Sequence, residues 1–529
     1  MVSQVVVSYT NSPLLASLRG AIASPSREVI EFIVQQLVKG LENYYCHLPQ
    51  KRSAFGIDPV AQLKVLATGV PSKFNRGLLT ILNSLRDRHT TLTLPPPWKT
   101  LVAYVPLIIE RVYDGERPYY LVTKRLYGYD DIPLGSTITH WNGSPIHLYV
   151  NNLAHGTQGA SWPVQTALAM AGLTIRPLAY TLMPSEDWVT LTYLTPKGES
   201  RTAATPWRFF VQPPVQLSSD TVEGQEGGLH LGLDVRTSLI RQVQSTATGP
   251  ASNRRSEMTQ DGVLSYGTVD TPSGPCALLR ITSFEVPDAN AFIEKVTAIL
   301  RQLPQERLVI DVRGNPGGLI PAGQKLVSLL TDRPIASSTI AFRATDSTLS
   351  LTRLQDFTQY HPSLLLHQET ASVFSQSFPI IDYSKDVPNY RYPGRTALII
   401  DALCYSTTDF FAADFADNKI GPIIGVDPQT GGGGANVWPW QTVVGYATAT
   451  EGHNAPSALP WGYGLNLSMR RAFRTGDWAG LPIEGLGVKA DILHRMTRRD
   501  LLEANADLLA VAAAALQNGN QQAATSHAG

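Results

Sequence analysis

The sequence predicts a multidomain α/β protein, and three observations lead there. At 529 residues the chain is long enough for about two to four domains. Its second half alternates strand-like and helix-like stretches, the order that builds a parallel sheet with helices packed on it. Two short apolar runs in that half, 308–311 and 397–400, each end in a tight turn and lead into a helical pattern. Apolar residues make up 43% of the chain, enough for real cores.

Taken in order, residues 1–100 read as a helical region. Val29, Ile30, Ile33, Val34, Leu37, Leu41 and Tyr44 recur at helical spacing as one apolar stripe. A second helix runs toward His89, and Pro95, Pro96 and Pro97 then force an extended exit. Residues 101–216 are β-rich, with Asn142-Gly143 marking a hairpin turn and a helical insertion over 144–186. Residues 217–262 are polar and glycine-rich and read as a flexible linker, with its most protease-sensitive point around Arg254-Arg255. The core follows over 263–515, interrupted by an insertion at 344–394 that is expected to contribute substrate-facing helices. A polar tail, 516–529, is expected to be disordered.

Lys+Arg and Asp+Glu both number 43, so net charge gives no electrostatic case for nucleic acid or an anionic membrane. No apolar run approaches the length of a membrane span. The start of the chain lacks the basic-then-apolar pattern of a signal peptide, so a cytoplasmic protein is the expectation. Cys46, Cys276 and Cys404 form an odd set without metal or redox spacing. Neither an HExxH string nor a paired Cys/His set is present, so no catalytic metal and no cofactor are expected. Whether the chain forms a homo-oligomer is left open.

The chemistry gathers at two turns. After the run at 397–400 the chain turns through Asp401–Ser406 and enters a helix with Asp409 in its first turn. A serine at such a strand-to-helix turn is either a helix cap or an exposed nucleophile, with the following N–H free to bind an oxyanion. The other turn, LVIDVRGNPGG over 308–318, has glycines whose backbone can approach a ligand closely.

Together these stretches resemble the S41 peptidases, the C-terminal processing or tail-specific protease family. Asp311, Arg313, Asn315, Gly317 and Gly318 match its Asp-x-Arg-x-Asn-x-Gly-Gly pattern, which supplies oxyanion-hole backbone. Ser406, with Asp409 three residues on, matches the serine motif, and Asp417 falls where the family commonly has an Asp. The resemblance implies a ClpP/crotonase-like α/β core. It also implies that 132–146 belongs to a PDZ-like domain, either a peptide-capturing module or a frame for the cleft.

One departure is informative. Tail-specific members carry a lysine base 25 residues after the serine, and here that position is Gly431, in the run Gly431–Gly434. Lys419 is the nearest lysine and lies within the serine helix. A histidine-using subgroup of the family draws its base from the N-terminal region, and Asp87-Arg88-His89 resembles its Asp-x-His motif. Read by itself, His89 is a histidine at a helix C-terminus. The string at 482–491, Pro-x-Glu-x-x-Gly-Val-x-x-Asp, resembles the subgroup's region bearing the glutamate that orients the histidine. That match assigns Glu484, otherwise a surface residue before a turn, with Asp491 as a structural carboxylate.

The resemblance therefore implies a serine peptidase with Ser406 as nucleophile, His89 as general base and Glu484 as its orienter. Gly317 or Gly318 and Thr407 would supply oxyanion N–H groups. A free imidazole would lose activity near pH 6–7 as it protonates. Cys404 is expected to be buried and not nucleophilic. The substrate is a peptide or a small acyl compound. The same triad could serve acyl transfer or cyclisation, and family modules without catalysis bind ligands.

Overall fold

The computed structural model describes residues 11–19, 24–212, 232–247, 257–259, 262–384 and 388–525. Three cores carry the architecture. The central one is a seven-stranded sheet in the order 257–258, 264–269, 276–281, 307–311, 395–400, 423–425 and 492–493. From Cys276–Ile281 onward its neighbours run parallel. The strands alternate as a buried strand must. Leu308, Ile310, Leu398 and Ile400 face helices Ala289–Gln302, Ile320–Ser328 and Thr407–Asp417, whereas Val309, Ala397 and Ile399 face helix Ala506–Thr525.

A second core joins the N-terminal helices to a smaller sheet. Ile30, Ile33, Leu37, Leu78 and Leu82 pack with Phe342, Phe357, Trp438 and Leu467. The short helices of the 344–394 insertion help build this core through Leu351, Tyr360 and Leu364. They are thus packing elements for the N-terminal region, where the sequence suggested a substrate-facing role. In the small sheet, strand Gly464–Phe473 pairs with Thr91–Thr93 and also with Ala435–Pro439. That double pairing brings the chain just after His89 beside the chain just after Gly431–Gly434.

The third core belongs to the β-rich domain, with sheets built from 101–104, 175–177 and 208–211 and from 107–114, 117–125, 137–141, 188–194 and 200–206. Helices Ile146–His155 and Trp162–Ala171 form the insertion expected there.

Three boundaries differ from the sequence reading. Helix Phe74–Ser84 stops before His89, because the chain turns out of the helix at Arg86, whose φ is +50°. The stretch read as a flexible linker contains strand Gly232–Leu233 and helix Val235–Ser245, which buries Leu239, Ile240 and Val243. Asp234 caps that helix by accepting the Thr237 N–H. Arg254 and Arg255 lie outside the described residues. The final helix continues to Thr525, well into the expected tail, because Leu508, Leu509, Ala512 and Leu516 anchor it on the sheet. Among the described residues, no helix is long and apolar enough to cross a membrane.

Candidate active site

Ser406 sits where strand Arg395–Ile400 passes into helix Thr407–Asp417, with φ +61° and ψ −119°. A non-glycine residue in that region is strained, and strain of this kind collects at functional sites. The elbow is held by Asp409, which accepts the Ser406 N–H (2.9 Å) and the N–H groups of Gly432 (3.1 Å) and Gly433 (2.7 Å). The Ser406 Oγ is fully buried and has no hydrogen-bond partner.

The two sequence motifs are stitched together. The Asn315 carbonyl accepts the Tyr405 N–H (3.1 Å) and the Thr408 hydroxyl (3.1 Å). Thr407 Oγ1 donates to the Gly318 carbonyl (2.7 Å), and the Gly314 N–H donates to Asp401 (2.7 Å). Gly318 has φ +142°, and a Cβ there would run into the backbone of Phe284 and Glu285, so only glycine fits. Strand Gly232–Leu233 lies antiparallel along Gly317–Gly318. The expected oxyanion role of Gly317 does not hold in this arrangement, since its N–H donates to Asn315 Oδ1 (3.0 Å). Thr407 opens the helix, where N–H groups lack intrahelical partners.

His89 reaches this elbow from the N-terminal region. Its ring lies 4.6 Å, centroid to centroid, from that of Tyr405, the residue before Ser406. Arg88 stacks on the same tyrosine, and the Arg88 N–H donates to the Tyr405 hydroxyl (3.1 Å). Gly431 explains why no lysine stands there: a Cβ at Gly431 would collide with the Arg88 guanidinium and the Cys404 carbonyl. The loop that delivers His89 fills the space into which a side chain at 431 would grow.

Glu484 is fully buried beside this loop, but it does not hold the His89 ring. Its Oε1 accepts from Lys51 Nζ (2.5 Å), its Oε2 accepts the Gly434 N–H (3.1 Å), and His47 Nε2 lies 3.7 Å away. Both ring nitrogens of His89 are without partners, so neither a Ser406–His89 nor a His89–Glu484 hydrogen bond is formed. Asp87 accepts the His89 backbone N–H (2.8 Å) and the hydroxyls of Thr90 and Ser468 (both 2.9 Å). The ligand atoms of His47, Asp87 and Glu484 all lie within 4.8 Å of one another, close enough to surround a metal. The Lys51 ammonium, already on Glu484, supplies positive charge to that cluster.

The electrostatics follow from burial. Burial lowers the His89 pKa to about 4, against the pull of Asp87, so the ring is neutral at pH 7. Burial raises Glu484 to about 7, with Lys51 opposing. Cys404 is pushed well above the usual thiol range, first by burial, and its Sγ meets the Val312 carbonyl at 3.1 Å. Its burial is as expected from the sequence. Asp491 accepts the Ile423 N–H (2.8 Å), which fits its structural assignment, and Asp417 pairs with Arg474. Asp311 pairs with Arg313 and Arg280, which fixes the strand end before the glycine turn. A separate cavity of about 680 Å³ between the β-rich domain and the core is lined by Arg111, Arg280, Arg313, Asp401 and Asp427, and includes neither Ser406 nor His89.

Sequence reasoning missed Lys51, His47, Arg88, Asp234 and Tyr405. For Asp234 a signal existed, because Asp-x-x-Thr ahead of Leu239, Ile240 and Val243 is a helix-cap pattern.

The structure thus docks a strained serine elbow on a glycine turn in a parallel α/β core. Residues 275–492 match the model of peptidase family S41. Its structure is similar to that of mature CPAF, with a TM-score of 0.66 and 17% identity over 92% of this chain and 96% of that one. A CPAF mutant gives 0.66 at 17% identity, over 93% of this chain and 98% of that one. Mature CPAF complexed with lactacystin gives 0.63 at 17% identity, over 92% and 97%. These likenesses extend through the N-terminal and β-rich parts and show the shared fold. No curated protein matches the sequence significantly.

Proposed function

We propose that this protein cleaves peptides through Ser406, with His89 as the general base in place of the family lysine. The observation that supports the reading is the His89–Tyr405 contact, which brings an unpaired neutral imidazole to the residue preceding Ser406, whose own hydroxyl is unpaired on a strained elbow. Neither group is committed to another partner, and catalytic hydrogen bonds commonly form or tighten only with substrate bound. His89 then takes the hydroxyl proton as Oγ attacks the peptide carbonyl, and returns it to the leaving amine. The Thr407 N–H, at the positive end of its helix, is the donor we assign to the developing oxyanion, since the Gly318 backbone is paired with strand Gly232–Leu233. Glu484 lies in the buried cluster with Lys51, His47 and Asp87, of which Asp87 favours the imidazolium that forms. The PDZ-like reading of the β-rich domain, as the module that captures the peptide, is part of the same proposal.

Ser406 and His89 are fully buried, so a peptide reaches them when a neighbouring element shifts. The test is hydrolysis of a diverse peptide library by the full chain. Cleavage by the wild type that disappears in Ser406→Ala supports the reading. Equal cleavage by both would assign the activity elsewhere.

A further inference from the structure

We infer that Asp234 and Arg88 form a positioning pair that holds the His89 loop against the serine elbow and joins it to the glycine turn. The inference rests on the proposed roles of Ser406 and His89 and extends them to a segment outside the matched family core. Asp234 follows strand Gly232–Leu233, and its N–H donates to the Pro316 carbonyl (2.9 Å), next to Gly317–Gly318. Its side chain points the other way, toward the base loop. Oδ2 accepts from Arg88 Nη1 at 2.8 Å, with both side chains almost wholly buried. Arg88 in turn lies 3.6 Å from the Tyr405 ring centroid and bonds the Tyr405 hydroxyl through its backbone. One residue therefore ties the oxyanion turn to the loop of the base, and its partner ties that loop to the elbow.

Energetics favour this over incidental contact. A buried guanidinium without its carboxylate is strongly destabilised, so Arg88 keeps its stacked position while Asp234 is charged. Arg88 leaves room at 431 only for glycine, so the loop has no looser seat against Tyr405. The charged and titratable groups around His89 are Asp87 and Arg88 on its own loop, Tyr405 on the serine elbow, Asp234, Lys51 and His47. Among them Asp87 and Asp234 favour the imidazolium, whereas Arg88 and Lys51 oppose it. Asp234 thus acts on the base both mechanically and electrostatically.

Asp234→Asn separates these roles from simple folding. Asparagine keeps the helix cap to Thr237 but loses the charge on Arg88. The readout is the rate at which a fluorophosphonate labels the full-length protein, as a function of pH, with melting temperature measured alongside. We expect labelling of Asp234→Asn to slow roughly 10- to 100-fold, as a slight misplacement of a base would cause. Its acid midpoint should move down, because a carboxylate favouring the imidazolium is gone. In an Arg88→Met background the same substitution should change nothing further. An unchanged rate and midpoint in Asp234→Asn would overturn the inference. So would a slower rate with an unchanged midpoint that merely tracks a lowered melting temperature, which would mark general loss of folding. If the wild type itself is not labelled, it is the assignment of Ser406 that fails instead.

Discussion

The Arg88 guanidinium stacks 3.6 Å from the centroid of the Tyr405 ring, so the residues preceding the proposed base and the proposed nucleophile lie face to face. Chain segments more than three hundred residues apart are locked in register by that contact. It also explains Gly431, since the guanidinium occupies the space a side chain there would need.

The first prediction concerns that exclusion. Gly431→Lys restores the residue type the tail-specific members carry, but not a working dyad. Overpacking against Arg88 and the Cys404 carbonyl should cost about 1–3 kcal/mol. Thermal unfolding of Gly431→Lys should show a lowered melting temperature, and the substitution should not rescue His89→Ala in the peptide assay. Rescue would show that the cleft accepts a lysine and that Arg88 does not define it.

A second prediction concerns pH. From sequence, the acid limb of activity belongs near pH 6–7, the ordinary imidazole range. Burial moves His89 down to about 4, so the base stays neutral and competent well below pH 6. The acid limb of kcat/KM attributable to His89 should therefore lie near pH 4–5. Glu484, raised to about 7, adds a second inflection near neutrality as it ionises, and Glu484→Gln should remove that inflection alone. A pH profile of wild type and Glu484→Gln checks both statements, and a single limb at pH 6.5 in each would contradict them.

Lys51 gives the third. It is buried on Glu484 at 2.5 Å, and Lys51→Met strands that carboxylate, a change worth about 3–5 kcal/mol. The sign with pH follows from the raised Glu484 pKa. A carboxyl held above its unfolded value contributes most below the unfolded pKa and loses that contribution as pH rises through the folded one. The deficit of Lys51→Met should thus be larger at pH 8 than at pH 5 in urea unfolding. A pH-independent deficit would mean that Glu484 is not the group left unpaired.

Cys404 supplies a control. Being buried and bonded to the Val312 carbonyl, it should resist iodoacetamide in the native state, and Cys404→Ser should keep peptide cleavage. Loss of cleavage on native alkylation, together with an inactive Cys404→Ser, would move the chemistry to the thiol.

The parts legible in the sequence are those that are local. The 308–318 turn and the Ser406 elbow each follow from a contiguous run of residues. The polar pairings were not legible, because Lys51–Glu484 and Arg88–Asp234 join segments 433 and 146 residues apart. No local pattern specifies such a partner. Glu484 shows the consequence: its motif assigns it to orient His89, yet its hydrogen bonds go to Lys51 and Gly434. The helix at Val235–Ser245 was hidden differently, its apolar face diluted by the polar residues on either side when the stretch was weighed as a whole.

The central claim is that an N-terminal histidine, and not a lysine, activates Ser406. The most direct measurement is the rate of fluorophosphonate labelling of wild type and His89→Ala, with the labelled residue mapped by peptide mass. The account predicts a label on Ser406 in the wild type and a rate lower by about 100-fold or more in a folded His89→Ala. Labelling of Ser406 at the wild-type rate in His89→Ala would contradict it.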